Sequence, residues 1–204
     1  MIQIERKKFN ISILGENTVG KTSMIQVYFG LPFNENEIPT IGVEHFADKA
    51  NFDNKEYTFK IFDTAGQERY NSISSTTIRI ADGYLLVFSV DQKSSLNKVD
   101  YWIKSIEENA NLEKKVLILA GNKIDVKERQ VSNEEAVNYA KNRNIKYFET
   151  SAKTGYQIKE VFKELYNDIY QLNQKLNLEK KESKNITITG DNDIGAKHNN
   201  KKFC

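Results

Sequence analysis

The sequence predicts an α/β domain built on a doubly wound, mixed but mostly parallel six-stranded sheet with helices on both faces. Three apolar runs, at 9–15, 84–90 and 116–121, are continuous rather than alternating, as strands buried on both faces of a parallel sheet require. Helical periods lie between them, with Leu96, Val99, Trp102, Ile103 and Ile106 recurring at three- and four-residue spacing. One segment breaks the alternation. Runs at 43–52 and 57–62 flank Asp53, Asn54, Lys55 and Glu56, a turn composition that reads as a hairpin and makes the sheet mixed.

Taken in order, Phe9, Ile11, Ile13 and Leu14 form the first strand, which enters GENTVGKT at 15–22. Ser23, Met24 and Ile25, poor turn formers, then open a helix. After the hairpin come the strand YLLVFSV, the helix of Leu96 to Ile106, and the strand VLILAG. Ser132 and Glu135 make a capping box for a helix running to about 144. A weaker strand at 145–150 precedes a helix striped by Val161, Phe162, Leu165, Ile169 and Leu172. Beyond Leu172 the composition turns to Asn, Lys, Glu, Gly and Asp, with little apolar area to offset the entropy of ordering. The expected organisation is a domain over 1–173 and a flexible tail over 174–204. Right-handed crossovers in such a fold place ligands beyond the carboxyl ends of the strands.

Composition narrows the function. The 204 residues suit one domain plus a tail, and 39% apolar with 28% charged residues is a globular balance. Thirty basic against 28 acidic residues leave a formal charge of +2, no electrostatic case for a nucleic-acid partner. No apolar stretch approaches the roughly 20 residues of a bilayer helix, and MIQIERKKF places charges where a signal peptide needs its apolar core, so a cytoplasmic chain is expected. The only cysteine is Cys204, which excludes an intrachain disulfide.

GENTVGKT fits the phosphate-binding pattern G-x-x-x-x-G-K-[ST] and stands between strand and helix, where that pattern belongs. A chance match in a chain of this length has a probability of roughly 1% from average composition. Gly15 and Gly20 relax the loop so that its N–H groups turn inward, Lys21 brings charge to the outer phosphates, and Thr22 offers a hydroxyl to Mg²⁺. The helix that starts there adds its positive end.

The loop says phosphate; other residues read the base. LAGNKID places Asn122, Lys123 and Asp125 at a strand's carboxyl end. Asp125, acceptor-only when ionised, matches the adjacent N1–H and 2-amino donors of guanine and meets a lone pair on adenine N1. Losing that pair of charged hydrogen bonds rejects adenine by several orders of magnitude. ETSAKTG closes the next strand, where Ser151, Ala152 and Lys153 brace the base site.

With GENTVGKT, the Thr40 of IPTIG, DTAGQE at 63–68, NKID and ETSAK in this order, the chain resembles the Ras superfamily of small GTPases over roughly 8–172. The resemblance implies a P-loop G domain that binds GTP and GDP with Mg²⁺ through Gly15, Thr18, Val19, Gly20, Lys21, Thr22, Ser23, Phe33, Thr40, Gly66, Asn122, Lys123, Asp125, Ser151, Ala152 and Lys153. Thr22 and Thr40 would be metal ligands, with Asp63 holding the ion through water. Phe33 would stack on guanine, Gly66 would donate to the γ-phosphate, and Gln67 would orient the attacking water, with Lys21 its catalytic companion. No arginine stands near Thr40, so slow intrinsic turnover is expected, raised roughly 10³- to 10⁵-fold by an activating protein's arginine. Segments near 35–46 and 66–80 are the expected switches, facing exchange factor, activating protein and effectors.

TIGVE and DTAGQERY are similar to the Rab branch, which works in vesicle traffic, whereas LLVFSV after IADGY leans toward Ras. By spacing, the aromatic triad that Rab effectors read falls on His45, Phe62 and Thr77. Asn17 and Thr18 depart from the usual small residues of the loop; with the altered triad they motivate a second reading, a GTP-dependent binding module with little hydrolysis, against which Gln67 argues. A nucleotide kinase or ATPase would leave NKID and ETSAK without purpose. KHNNKKFC puts three lysines beside Cys204, neither a CaaX box nor a paired-cysteine ending. A prenylated Cys204, with the lysines as second signal, would attach a monomeric protein peripherally to the cytosolic face of a membrane. Asn185-Ile186-Thr187 fits a glycosylation acceptor, which a cytosolic chain never presents to that machinery.

Overall fold

The computed structural model describes residues 7–38, 40, 42–64 and 71–190, with side chains for 7–38, 40, 42–64 and 76–179. Six strands, β1 (Lys8–Leu14), β2 (Val43–Phe52), β3 (Lys55–Thr64), β4 (Gly83–Ser89), β5 (Val116–Asn122) and β6 (Lys146–Glu149), join in one sheet. Across it they run β2-β3-β1-β4-β5-β6, with β2–β3 antiparallel and the other neighbours parallel. This is the mixed, mostly parallel sheet that the apolar runs predict, each strand within a residue or two of its expected bounds.

Helices cover both faces. On one side α1 (Lys21–Tyr28) and α6 (Ile158–Gly190) bury Met24, Ile25, Phe162, Leu165 and Ile169 against Ile11, Ile13, Leu85 and Ile118. On the other, α2 (Asn71–Ile80), α4 (Val99–Asn109) and α5 (Asn133–Asn142) bury Ile78, Trp102, Ile106 and Ala136 against Leu14, Leu86 and Leu119. Leu85 and Leu86 belong to opposite cores, which is why the runs are continuous: successive residues each meet a different helical layer.

Four details differ from expectation. The hairpin turn has two residues rather than four, since Phe52 pairs with Lys55. Asp53 and Asn54 both take positive φ, 48° and 60°, the geometry of a tight hairpin that Asp and Asn tolerate. The stripe from Leu96 to Ile106 is shared by α3 (Lys93–Asn97) and α4, which meet at Lys98, where ψ flattens to −13°. Ser132 accepts from the Glu135 amide at 3.1 Å, as its capping box predicts, but α5 ends two residues early, at Asn142.

The fourth concerns the tail. The expected boundary at 173 falls inside α6, which continues as helix to Gly190. Among the described side chains, which end at 179, its last buried apolar one is Tyr170, and the following residues include the good helix formers Leu, Gln, Lys and Glu. Of the residues singled out above, Gly66, Gln67, Cys204 and its neighbouring lysines lie outside the described residues. Among the described residues, no helix is long and apolar enough to cross a membrane.

Candidate nucleotide site

A cavity of about 390 Å³ opens beyond the carboxyl ends of the central strands. Thr18, Gly20, Lys21, Thr22 and Ser23 line one wall, Phe33 and Thr40 a second, and Asn122, Lys123, Asp125, Ala152 and Lys153 a third. Segments far apart in sequence thus meet, because three parallel strands end at one level and each passes into a loop there. Gly15, Val19, Asp63 and Ser151 stand behind this lining, fully buried or nearly so.

Close packing makes the loop's glycines necessary. A Cβ on Gly20, at φ +94°, would come 2.4 Å from the Asn122 Nδ2; one on Gly15 would come 2.2 Å from the Val87 carbonyl. Thr18 carries a positive φ of 62° without being glycine, and the Asn17 Oδ1 accepts from its amide at 3.1 Å. The Lys21 ammonium curls back over the loop and donates to the carbonyls of Gly15 at 3.0 Å and Glu16 at 2.8 Å. Burial lowers its pKa to about 8, while Asp63 and Glu16 pull the other way.

At the phosphate end, three oxygens from three elements converge. Asp63 Oδ2 accepts from the hydroxyls of Thr22 at 2.7 Å and Thr40 at 3.3 Å, and those hydroxyls are 2.7 Å apart. Asp63 is buried, its Oδ1 has no hydrogen-bond partner among the described residues, and burial raises its pKa despite Thr22, Lys21 and Thr40. A buried carboxylate with a free oxygen is costly unless something cationic meets it. Hydroxyl and carboxylate oxygens are hard donors, and one carboxylate with two hydroxyls is the sparse set Mg²⁺ uses when phosphates complete its shell. Among the described residues, no cluster of three His, Cys, Asp or Glu forms a metal cage of its own. The donors present fit Mg²⁺.

The base end is tied together by Asn122. Its Nδ2 donates to the Val19 carbonyl at 2.8 Å, and its Oδ1 accepts from the Ala152 amide at 3.1 Å and the Thr150 hydroxyl at 3.4 Å. Asn122 therefore joins the phosphate loop to the loop after β6, its amide already committed within the protein. Thr150, buried beneath that junction, escaped the sequence analysis although it stands inside ETSAK. Asp125 remains exposed at the rim, where its Oδ1 accepts from the Ser151 hydroxyl at 2.5 Å, and that hydroxyl accepts from the Thr154 amide at 3.1 Å. One carboxylate oxygen is braced; the geometry leaves the other for donors from a ligand.

Two ion pairs flank the base end, both missed by motif reading. Lys123, at φ 66°, sits 3.6 Å from Asp91, and the Ser89 hydroxyl donates to that same carboxylate. Lys153 bonds Glu35 across the mouth, which raises its pKa, though both groups are solvated and the contact is correspondingly weak.

A phosphate loop, an oxygen cluster and a braced carboxylate share this cavity, and a model of the Ras family matches residues 10–171. The chain belongs to the Ras family. It is similar to Ras-related protein Rab-13 of Canis lupus familiaris, with 36% identity over 162 residues and 79% of each chain covered. It is also 37% identical to human Ras-related protein Rab-8B over 171 residues, covering 83% of this chain and 82% of the relative. GTP-binding protein ypt3 of Schizosaccharomyces pombe is 36% identical over 172 residues, covering 84% and 80%. This Ras-family protein is thus a Rab-like small GTPase, a GTP-hydrolysing switch.

In this GTPase the three positions that spacing assigns to the Rab triad differ in burial. His45 and Phe62 face each other across the β2–β3 register, His45 exposed. Thr77 is buried, and its hydroxyl accepts from Ser12 at 3.3 Å. A short hydroxyl has been absorbed into the core where the pattern would place an aromatic ring.

Proposed function

We propose that the cavity holds GTP or GDP with Mg²⁺ and that nucleotide state is read out through the segment bearing Thr40. The observation that carries this is the 2.7 Å approach of Thr40 Oγ1 to Thr22 Oγ1 over Asp63. A residue on a long connecting loop meets the phosphate loop's hydroxyl at the place where a metal and a terminal phosphate would be shared. Thr22 and Thr40 would ligate Mg²⁺, with Asp63 behind them through water, and the bound ion would neutralise charge developing on the phosphates. Lys21 holds the outer phosphates, Phe33 stacks on the base, Asp125 selects guanine, and Gln67 orients the attacking water. Losing the γ-phosphate removes what holds Thr40 and releases the switch segments at 35–46 and 66–80 to exchange factor, activating protein and effectors.

Released nucleotide from the purified chain, separated by HPLC, tests the reading. Guanine nucleotide retained with Mg²⁺, not displaced by ATP, and slow conversion of GTP to GDP are expected. Free exchange of adenine nucleotide would overturn it. A second reading, a GTP-dependent binding module with little turnover, is favoured by one observation: Asn17 lines the cavity. GTP that persists unhydrolysed through many hours would select it.

The Rab-named relatives suggest service in vesicle traffic or membrane signalling, the protein acting as a monomer on the cytosolic face of a membrane. Prenylation of Cys204 would supply one anchor and the nearby lysines a second. Mass spectrometry of the native C-terminus distinguishes a lipidated from a free thiol.

A further inference from the structure

The inward row of β2 reads Phe46, Asp48, Ala50, Phe52, every second residue half-buried while Ala47, Lys49 and Asn51 are exposed. A carboxylate stands in an otherwise apolar row. This residue is Asp48; its Oδ1 accepts from the Lys49 amide at 2.8 Å, and the partners of its Oδ2 come from two helices: the Tyr28 hydroxyl at the end of α1 donates to it, and the Tyr166 hydroxyl of α6 donates to it at 3.2 Å. Each phenol is also held by its ring. Tyr28 stacks on Phe162 at 4.3 Å, and Tyr166 on Phe59 at 4.1 Å with the planes 7° apart. Burial pushes both phenols above their ordinary range, reinforced at Tyr28 by the Asp48 carboxylate and at Tyr166 by the neighbouring Tyr28 hydroxyl and then Asp48, so they remain donors.

Asp48 is placed where it can govern the nucleotide site. α1 begins at Lys21 and Thr22 and ends at Tyr28, so its two ends report the phosphate loop and the start of the segment carrying Phe33 and Thr40. That segment returns through β2, the outermost strand, which among the described residues pairs only with β3. Among the described residues, this edge strand with one ladder is held over the end of α1 by side chains, the Phe29–Phe46 stack at 5.5 Å just past that end and the Tyr28–Asp48 bond. Tyr28 and Asp48 are 20 residues apart, and their bond closes the base of the loop between them. Without it, the loop could open by letting β2 lift away from α1; with it, opening is confined to the residues beyond the closure.

We propose that Asp48 is a positioning residue for guanine-nucleotide retention, acting through Tyr28 to close the base of the segment that presents Phe33 and Thr40. This rests on the nucleotide reading above. The two phenols have separable parts: Tyr28 joins the two ends of the segment, whereas Tyr166 fastens the hairpin to α6.

The test is the dissociation rate of fluorescent GDP from full-length protein, with Mg²⁺, for wild type, Tyr28→Phe, Tyr166→Phe and Asp48→Asn, beside thermal melting of each. Phenylalanine keeps each ring stack and deletes only the hydroxyl. Loss of a charge-assisted bond should raise the GDP release rate roughly tenfold in Tyr28→Phe and Asp48→Asn. Tyr166→Phe should stay within about twofold of wild type although it lowers the melting temperature comparably. A merely structural cluster would make release follow melting temperature in all three; equal release rates for Tyr28→Phe and Tyr166→Phe overturn the proposal. Wild-type protein that fails to retain GDP would instead sink the nucleotide reading itself.

Discussion

The side-chain amide of Asn122 reaches the Val19 carbonyl at 2.8 Å, a bond across 103 residues of sequence that makes the phosphate and base ends of the cavity one rigid unit. Its other end takes the Ala152 amide. Gly20 exists in a form that tolerates this neighbour, since a Cβ there would collide with the Asn122 amide at 2.4 Å.

Replacing Asn122 with Ala leaves the Val19 carbonyl and the Ala152 amide buried without their partner. A loss of about 2–4 kcal/mol in folding stability is expected, together with faster nucleotide release. Denaturant unfolding and GDP dissociation measure the two. Gly20→Ala should cost less in the Asn122→Ala background than in wild type, since the collision is gone and only the strain of a positive φ remains. Strict additivity would show that the two do not press on each other.

Lys21 links the site to pH. Its pKa is lowered to about 8 against 10.5 for a free lysine, so between those values the unfolded chain binds more protons than the empty folded protein. Stability of the empty protein should therefore rise with pH in that window. Nucleotide binding has the opposite sign. Phosphates favour the ammonium, so above about pH 8 association takes up a proton and affinity falls by up to about tenfold per pH unit. Calorimetry at pH 9 in buffers of differing ionisation enthalpy should find uptake approaching one proton per GDP; none would mean that Lys21 is already charged in the empty site.

Asp63 carries the complementary prediction. Burial raises its pKa, so the metal-free protein loses stability as pH climbs from the unfolded value near 4 through the raised one. Asp63→Asn removes that charge. Without Mg²⁺ it should melt at or above wild type near neutral pH, whereas with Mg²⁺ and GDP it should melt lower and release nucleotide faster. A variant less stable in both conditions would show that the free Oδ1 is not a cost relieved by a cation.

The parts of this site that were legible in sequence are those whose chemistry is local. GENTVGKT must be a loop because two of its residues need to be glycine, and each buried strand announces itself by an unbroken apolar run. What escaped depends on pairings across the fold. Asn122 reads as a base contact until its amide is seen spent on Val19 and Ala152. Asp48 is one polar residue in an alternating strand, and nothing nearby in sequence names Tyr28 or Tyr166 as its donors. The segment NSISSTTIRI, rich in Ser and Thr, is weak in helix propensity, and α2 forms where Ile78 and Thr77 pack against the sheet. The apolar stripe read from the sequence ends at Leu172, whereas α6 continues as helix to Gly190, so a periodicity argument stops before the helix does.

Asn17 offers the sharpest test of turnover. Asn17 lines the cavity while its Oδ1 caps the Thr18 amide, so a carboxamide stands in the loop proposed to hold the phosphates. Glycine at that position removes the bulk but also the cap, and it adds backbone freedom costing roughly 0.5–1 kcal/mol. The two effects separate by readout. If Asn17 obstructs Gln67 or an incoming arginine, Asn17→Gly speeds single-turnover GTP hydrolysis by about tenfold, since small misplacements of the attacking water are costly. If its main service is to the loop, GDP release quickens and the hydrolysis rate stays where it was. Unchanged single-turnover rates across Asn17→Gly and Asn17→Ser would remove Asn17 from the catalytic argument and leave turnover to Gln67 and the activating partner alone.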